Sequence, residues 1–221
     1  MPTAREKEKA KRRVVSAKRM AETSAGKQSK AYKLPPGISP FIVNEKGNLE
    51  IDIIPYGAGK GNPAADEGEL VPGRTYYVHP QIGPNNDTYC CRAQTFGKPC
   101  PVCEDRAKMA RDEDADEDLV KGLRPRQRQL WNVSDHKRAP QEIRVFDISS
   151  FCFGDPLFEK AARNPKYETF ADPEEGFTLH IGVTEKKEKF TFYMCSDIEF
   201  HERRKPIGDD LLAKAVCLDD I

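Results

Sequence analysis

The residues of this chain best suited to chemistry lie between positions 79 and 103: His79, the adjacent Cys90 and Cys91, and the run Cys100-Pro101-Val102-Cys103. A Cys-x-x-Cys knuckle aims two sulfurs at one point, as a tetrahedral ion requires. A histidine and a third cysteine would close a four-ligand set of the structural kind, with no open position for a substrate. Thiolate and imidazole donors select zinc, so Zn2+ is the expected cofactor. Successive residues of a strand point to opposite faces, so only one of Cys90 and Cys91 can take part.

Two enzymatic readings of the same residues fail. A redox Cys-x-x-Cys belongs beside a βαβ pattern, and none is legible here. Zinc nucleobase deaminases pair Pro-Cys-x-x-Cys with His-x-Glu. Here Pro99 to Cys103 follows His79, but Gln81 stands where the catalytic Glu belongs, and an amide cannot shuttle the proton. The chain is therefore read as a non-enzyme. Cys152, Cys195 and Cys217 are isolated, and His136, His180 and His201 have no ligand-spaced companions. The Gly57-Ala58-Gly59-Lys60-Gly61 run lacks the spacing of a phosphate-binding loop.

Beyond the knuckle, Lys121, Arg124, Arg126 and Arg128 precede Trp131, the only tryptophan, and Lys137 and Arg138 follow it. Alternate spacing puts Arg124, Arg126 and Arg128 on one side of an extended segment. Cations that track a backbone, with aromatic rings on which bases stack, form the usual arrangement for single-stranded nucleic acid. On that reading Arg92, Arg124, Arg126, Arg128, Lys137 and Arg138 contact phosphates, and Trp131, Tyr76 and Tyr89 stack on bases.

The elements that must position these residues are mostly strands. Leu49 to Ile54, Thr75 to His79, Tyr89 to Ala93, Leu130 to Val133 and Glu142 to Ile148 carry strand residues or alternation, and Phe177 to Thr184 with Lys189 to Met194 reads as a hairpin. Helices are expected over Pro101–Arg111, Pro156–Arg163 and Asp209–Val216. The glycine-rich Gly57–Gly73 stretch and the acidic Glu104–Asp118 stretch read as excursions from the fold. Many short strands with long connections predict a mainly β chain built as a small barrel or sandwich.

Charge divides the 221 residues further. Thirty-six basic and 36 acidic residues cancel overall, yet residues 1–33 carry a local net charge of +8. Residues 1–36 are expected to form a basic flexible arm, with a thin apolar stripe at Ala10, Val14, Ala17 and Ala21, ending at Leu34-Pro35-Pro36-Gly37. Residues 37–208 would form the core, with a zinc subdomain at about 79–120, and residues 209–221 an acidic tail. No apolar run approaches the ~20 residues that span a bilayer, and the N-terminus has no apolar signal region. An odd number of cysteines without such a signal fits thiols or a metal in a reducing cytoplasm.

Taken in order, Cys100-Pro-Val-Cys103, the basic run, Trp131-Asn132-Val133, Ile143-Arg144-Val145-Phe146, Phe158-Glu159-Lys160 and Ala171 to Leu179 resemble the single-stranded DNA-binding, helix-destabilising protein family of T-even phages, over roughly residues 75–185. The resemblance implies an OB-fold, a five-stranded Greek-key barrel, that binds single strands without sequence preference in DNA replication, recombination and repair, in the cytoplasm of a bacterial host. It also implies zinc bound by one His and three Cys. The family's nine-residue interval before the knuckle selects Cys90, giving His79, Cys90, Cys100 and Cys103. A basic arm for self-association along DNA and an acidic tail that recruits replication or recombination proteins complete the comparison, although the tail here is far shorter. The competing expectation is a zinc-ribbon interaction factor of replication or transcription without DNA contact.

Overall fold

Alternating apolar residues build most of the strands. The computed structural model describes residues 31–188 and 191–221. The strands are β1 (Ser39–Phe41), β2 (Gly47–Ile53), β3 (Tyr56–Gly57), β4 (Leu70–Val71), β5 (Gly73–Ile82), β6 (Asp87–Cys90), β7 (Arg126–Asp135), β8 (Ala139–Ser149), β9 (Phe177–Lys187) and β10 (Thr191–Glu202). Five short helices join them: α1 (Arg92–Phe96), α2 (Pro101–Met109), α3 (Glu117–Gly122), α4 (Gly154–Ala162) and α5 (Asp209–Leu212). The chain is mainly β, as its sequence predicts.

The principal sheet runs β1-β8-β7-β2-β9-β10, antiparallel except for the short parallel pair β1 and β8. β7 is its hub. One edge of β7 holds β8; the other holds β5 along Arg126–Val78 to Trp131–Gly73 and then β2 along Val133–Ile53 to Asp135–Ile51. β6 extends β5 outward. Among the described residues no strand pairing closes this sheet into a barrel.

The branch in the sheet falls at Asn132, between the β5-paired and β2-paired parts of β7. Its backbone carbonyl accepts from the Ile54 N–H at 2.9 Å, and its fully buried amide donates to the Val216 carbonyl at 2.9 Å. The C-terminal segment therefore fills the place where the two strands part, and it satisfies a polar group that burial would otherwise penalise by about 1–3 kcal/mol.

Both faces of the hub are covered. On one face Trp131, Val133, Phe146, Ile148, Phe153 and Leu157 pack with Ile51, Leu179 and Ile181. Trp131 meets Phe153 edge-on with ring centroids 5.4 Å apart. On the other, Leu130, Val78, Tyr76 and Val145 pack with Leu34, Val216 and Leu218. Gly73 pairs with Trp131, and a Cβ there would lie 2.7 Å from the indole and 2.8 Å from the Leu130 carbonyl, so only glycine lets β5 approach β7 this closely.

Two expectations about organisation change. The first 30 residues, including the Ala10–Ala21 stripe, lie outside the described residues. Residues 31–36, assigned to the arm, join the body instead: Leu34 is buried and Tyr32 packs edge-on to Tyr76. The expected acidic tail, residues 209–221, is likewise tied in. Leu211, Val216 and Leu218 are buried, and the Asp219 carboxylate accepts from Arg74 Nε, the Gly59 N–H and Asn62 Nδ2, each at 2.9 Å. The same contacts pin the glycine-rich stretch, whose ends pair as β3 and β4.

Candidate metal centre

Four ligand atoms converge where β5, β6 and α2 meet. His79 Nε2 lies 3.5 Å from both Cys100 Sγ and Cys103 Sγ, and Cys91 Sγ lies 3.5 Å from Cys103 Sγ. All four atoms fall within 4.8 Å of one another. A tetrahedral zinc ion with ordinary bond lengths requires N···S separations of ~3.5 Å and S···S separations of ~3.8 Å, so the cluster already has nearly that size. His79, Cys91 and Cys100 are buried. His79 Nδ1 faces the Leu123 carbonyl at 2.9 Å, which fixes the tautomer that leaves Nε2 free for a metal.

Local sequence explains each position. Cys100 precedes Pro101, a placement that favours extended backbone, and its φ and ψ are −126° and 112°. Pro101 begins α2, so Cys100 and Cys103 sit at a helix N-terminus, where unpaired N–H groups favour a thiolate. Asp116 caps α3 through its carboxylate, and α3 delivers Leu123 to His79. The acidic stretch is thus part of the support for the site.

The cysteine that joins the cluster is Cys91, a correction to the expected Cys90. Cys90 ends β6 paired with Val78, and it packs with Val78 against the face that holds Tyr76 and Leu130. Its thiol sits 3.5 Å from Thr95 Oγ1. Cys91, one residue on, turns to the opposite side, which His79 shares. Its N–H donates to the Tyr77 carbonyl at 2.7 Å, and the residue caps α1. The strand expected over Tyr89–Ala93 therefore stops at Cys90.

The two thiols of the knuckle are shifted in opposite directions. Burial opposes ionisation of Cys100, but hydrogen bonds from the Cys103 backbone, the His79 ring, the Cys103 thiol and the Arg92 backbone outweigh it and bring its pKa down to about 6. Cys103 is pushed up to about 12, by burial and then by Cys91 and Cys100 beside it. One sulfur ionises readily and its neighbour resists, which is how thiols crowded at one point behave until a dication compensates them.

The residues expected to contact a nucleic acid separate into three groups. Arg92, Arg124 and Arg126 are exposed, and among the described residues no carboxylate pairs with them. Tyr89 pairs with His79 across β5 and β6 and is 42% exposed. Trp131, Tyr76 and Arg128 do not join that surface. Trp131 is 1% exposed beneath Phe153 and Phe158, Tyr76 is buried, and Arg128 Nε and the Tyr76 hydroxyl both bind Asp147, at 2.8 and 3.0 Å. The reason is the position of β7 at the centre of the sheet, which assigns its side chains to cores on both faces. Lys137 and Arg138 lie beyond the far end of β7, roughly 30 Å from Arg126 at ~3.3 Å per residue, and pair there with Glu50 and Glu45.

Two residues near the cluster escaped the sequence reading. Phe96 is 50% exposed at the end of α1, and Lys98 Nζ lies 5.9 Å from its ring centroid. An exposed aromatic beside a free cation was the available signal, hidden because that segment reads as loop.

Among the described residues no helix is long and apolar enough to cross a membrane. No protein-family model matches the chain, and no curated protein matches it.

Proposed function

We propose that the chain is a zinc-containing protein that binds single-stranded DNA without sequence preference, and that zinc sits among His79, Cys91, Cys100 and Cys103 as a structural ion. The observation that carries the reading is the set of unpaired cations and exposed aromatics in the segments that flank the cluster. Arg92, Lys98, Arg124 and Arg126 have no carboxylate partner among the described residues, and Tyr89 and Phe96, in the same flanking segments, are exposed. Phosphate contacts give affinity without information, and each base stacked on an aromatic ring adds roughly 1–3 kcal/mol whatever its sequence. Zinc would hold α1 and α2 against β5, so that Phe96 and Lys98 face the same strand as Arg126.

A largely antiparallel sheet that no pairing among the described residues closes is compatible with an OB-type, partly open barrel. The role that follows is to protect and organise single strands in phage DNA replication, recombination and repair, in the host cytoplasm. Self-association through the basic arm rests on residues 1–30. Recruitment by the C-terminus would fall to Asp209, Asp210 and Asp220, since Asp219 is engaged with Arg74.

The test is fluorescence anisotropy of labelled oligothymidine and oligoadenosine at several salt concentrations. Arg126→Ala should weaken binding to both oligomers about equally and flatten the salt slope by ~0.7. Base-selective loss contradicts the proposal, and an absence of salt-sensitive binding leaves the zinc-dependent interaction factor as the better reading.

A further inference from the structure

On the side of the sheet away from the metal cluster, β2, β9, β10 and the segment after β10 enclose a cleft of about 480 Å³. That volume is in the range of small-molecule sites, ≈300–1,000 Å³. Three of the four histidines of the chain line it, although their spacing in the sequence gives no hint of a cluster.

The charges in the cleft are unevenly satisfied. Asp52 binds Arg203 Nε at 3.3 Å, His136 Nε2 at 2.8 Å and the Thr178 hydroxyl at 2.7 Å. Glu50 faces Lys137 at 3.9 Å and His180 at 3.8 Å, and Glu202 pairs with Lys166 at 2.6 Å. Every carboxylate lining the cleft therefore has a cationic or donor partner. Arg204 and Lys205, exposed at the bend that follows β10, have none among the described residues. The unanswered charge is positive and comes as two adjacent cations.

Next to them stands an aromatic surface. His180 on β9 and His201 on β10 stack face to face, with centroids 3.9 Å apart and planes 23° from parallel, and both side chains are nearly half exposed. Parallel stacked rings do not aim two nitrogens at one ion, so the pair is poorly built to chelate a metal. It is well built to continue a stack, because imidazole faces accept nucleobases as other aromatic rings do.

We propose that this cleft binds a nucleotide unit, with its phosphate on Arg204 and Lys205 and its base stacked on the His180–His201 pair. The unit is either a free nucleoside phosphate or one nucleotide of a bound strand. The proposal stands apart from the strand-binding surface around Arg126 and does not require it.

The experiment follows the histidine ring C–H signals of the full chain by NMR at fixed pH and ionic strength, with thymidine monophosphate, thymidine, inorganic phosphate and oligothymidine as separate ligands. Thymidine monophosphate should shift the His180 and His201 signals saturably, and should bind more tightly than thymidine or phosphate alone. The double variant Arg204→Ala/Lys205→Ala should weaken it about tenfold or more, as expected for the loss of charge-assisted contacts. His201→Ala should weaken thymidine monophosphate and leave phosphate binding intact. A shift with the monophosphate assigns the site to free nucleotides, and a shift with oligothymidine alone assigns it to the strand. If neither ligand moves the two signals, or if the double variant binds as well as the parent, the proposal is overturned. Neither result touches the anisotropy test at Arg126, so the two readings fail separately.

Discussion

The metal-cluster lobe and the β core hold themselves together by different means. In the core, Trp131, Phe153, Leu157, Leu179 and Ile181 are almost completely buried, and burial of each such side chain contributes about 1.5–3 kcal/mol. In the lobe, α1, α2 and α3 contain no buried residue apart from the cysteine that caps each of the first two. Three helices of five to nine residues cannot persist by propensity, since isolated helices that short are marginal. Hydrogen bonds of Cys91 and Thr95 with Tyr77 tie α1 to β5, and the convergence of His79, Cys91, Cys100 and Cys103 draws α1 and α2 together. On the proposed reading ligation organises the lobe, whereas apolar burial organises the core, and the lobe bears the exposed Arg92, Phe96 and Lys98. A metal can order a small, polar, solvent-facing surface where a hydrophobic core would have to cover it.

The largest effect expected from this contrast is metal removal. Structural zinc contributes roughly 10–16 kcal/mol of apparent free energy in zinc-finger peptides, so stripping it should release residues 91–123 and leave β7 to β10 folded. Hydrogen exchange with and without chelator measures this: amides of α1 to α3 should lose protection while those of Trp131 and Leu179 keep theirs. Cys91→Ser should behave like chelation, and Cys90→Ser should retain one zinc per chain by elemental analysis. Loss of zinc from Cys90→Ser instead would break the assignment.

Trp131→Ala reverses the pattern. Removing a fully buried aromatic typically costs 3–5 kcal/mol, here from the centre of the sheet. The denaturant midpoint should fall sharply while zinc content stays at one per folded chain. If zinc and stability fell together, the two regions would be one cooperative unit and the contrast would be wrong. Gly73→Ala tests the seam between them. Its Cβ would meet the indole and a backbone oxygen, and overpacking of that kind costs about 1–3 kcal/mol, read again as a lowered midpoint.

How much of this was legible in the sequence follows the same division. The core strands announced themselves, because Leu49, Ile51 and Ile53 or Phe177 to Thr184 alternate within one segment. The ligand residue types were legible too. The choice between Cys90 and Cys91 was not, because it depends on Val78 pairing with Cys90 across the β5–β6 register, which no local pattern encodes. The burial of Trp131 followed from β7 being the hub, again a property of pairing. The C-terminal acids read as a free tail because the partners of Asp219 at Tyr56, Gly59 and Asn62 lie 157 to 163 residues away. Side-chain type was readable throughout, and long-range partnership was not.

The smallest effect concerns two cysteines, Cys100 of the cluster and Cys195 of the core, whose pKa values are moved in opposite directions. Cys100 is drawn towards the thiolate, its pKa near 6, because donors surround it. Cys195 is buried in the core beside Cys152 and pushed up to about 12, by burial first and then by that neighbour. In the unfolded chain a thiol ionises at ~8.5. The neutral Cys195 thiol therefore favours the folded state fully below that pH, and its contribution is lost as pH rises from there towards 12, because the unfolded chain gives up a proton that the core retains. One proton corresponds to at most ~1.4 kcal/mol per pH unit. Urea denaturation at pH 8, 9 and 10 should show stability falling with pH in the parent chain and falling less steeply in Cys195→Ala. Other groups titrate alike in both chains and cancel in the difference. Equal slopes would mean that Cys195 ionises in the folded core, and its contrast with Cys100 would not hold.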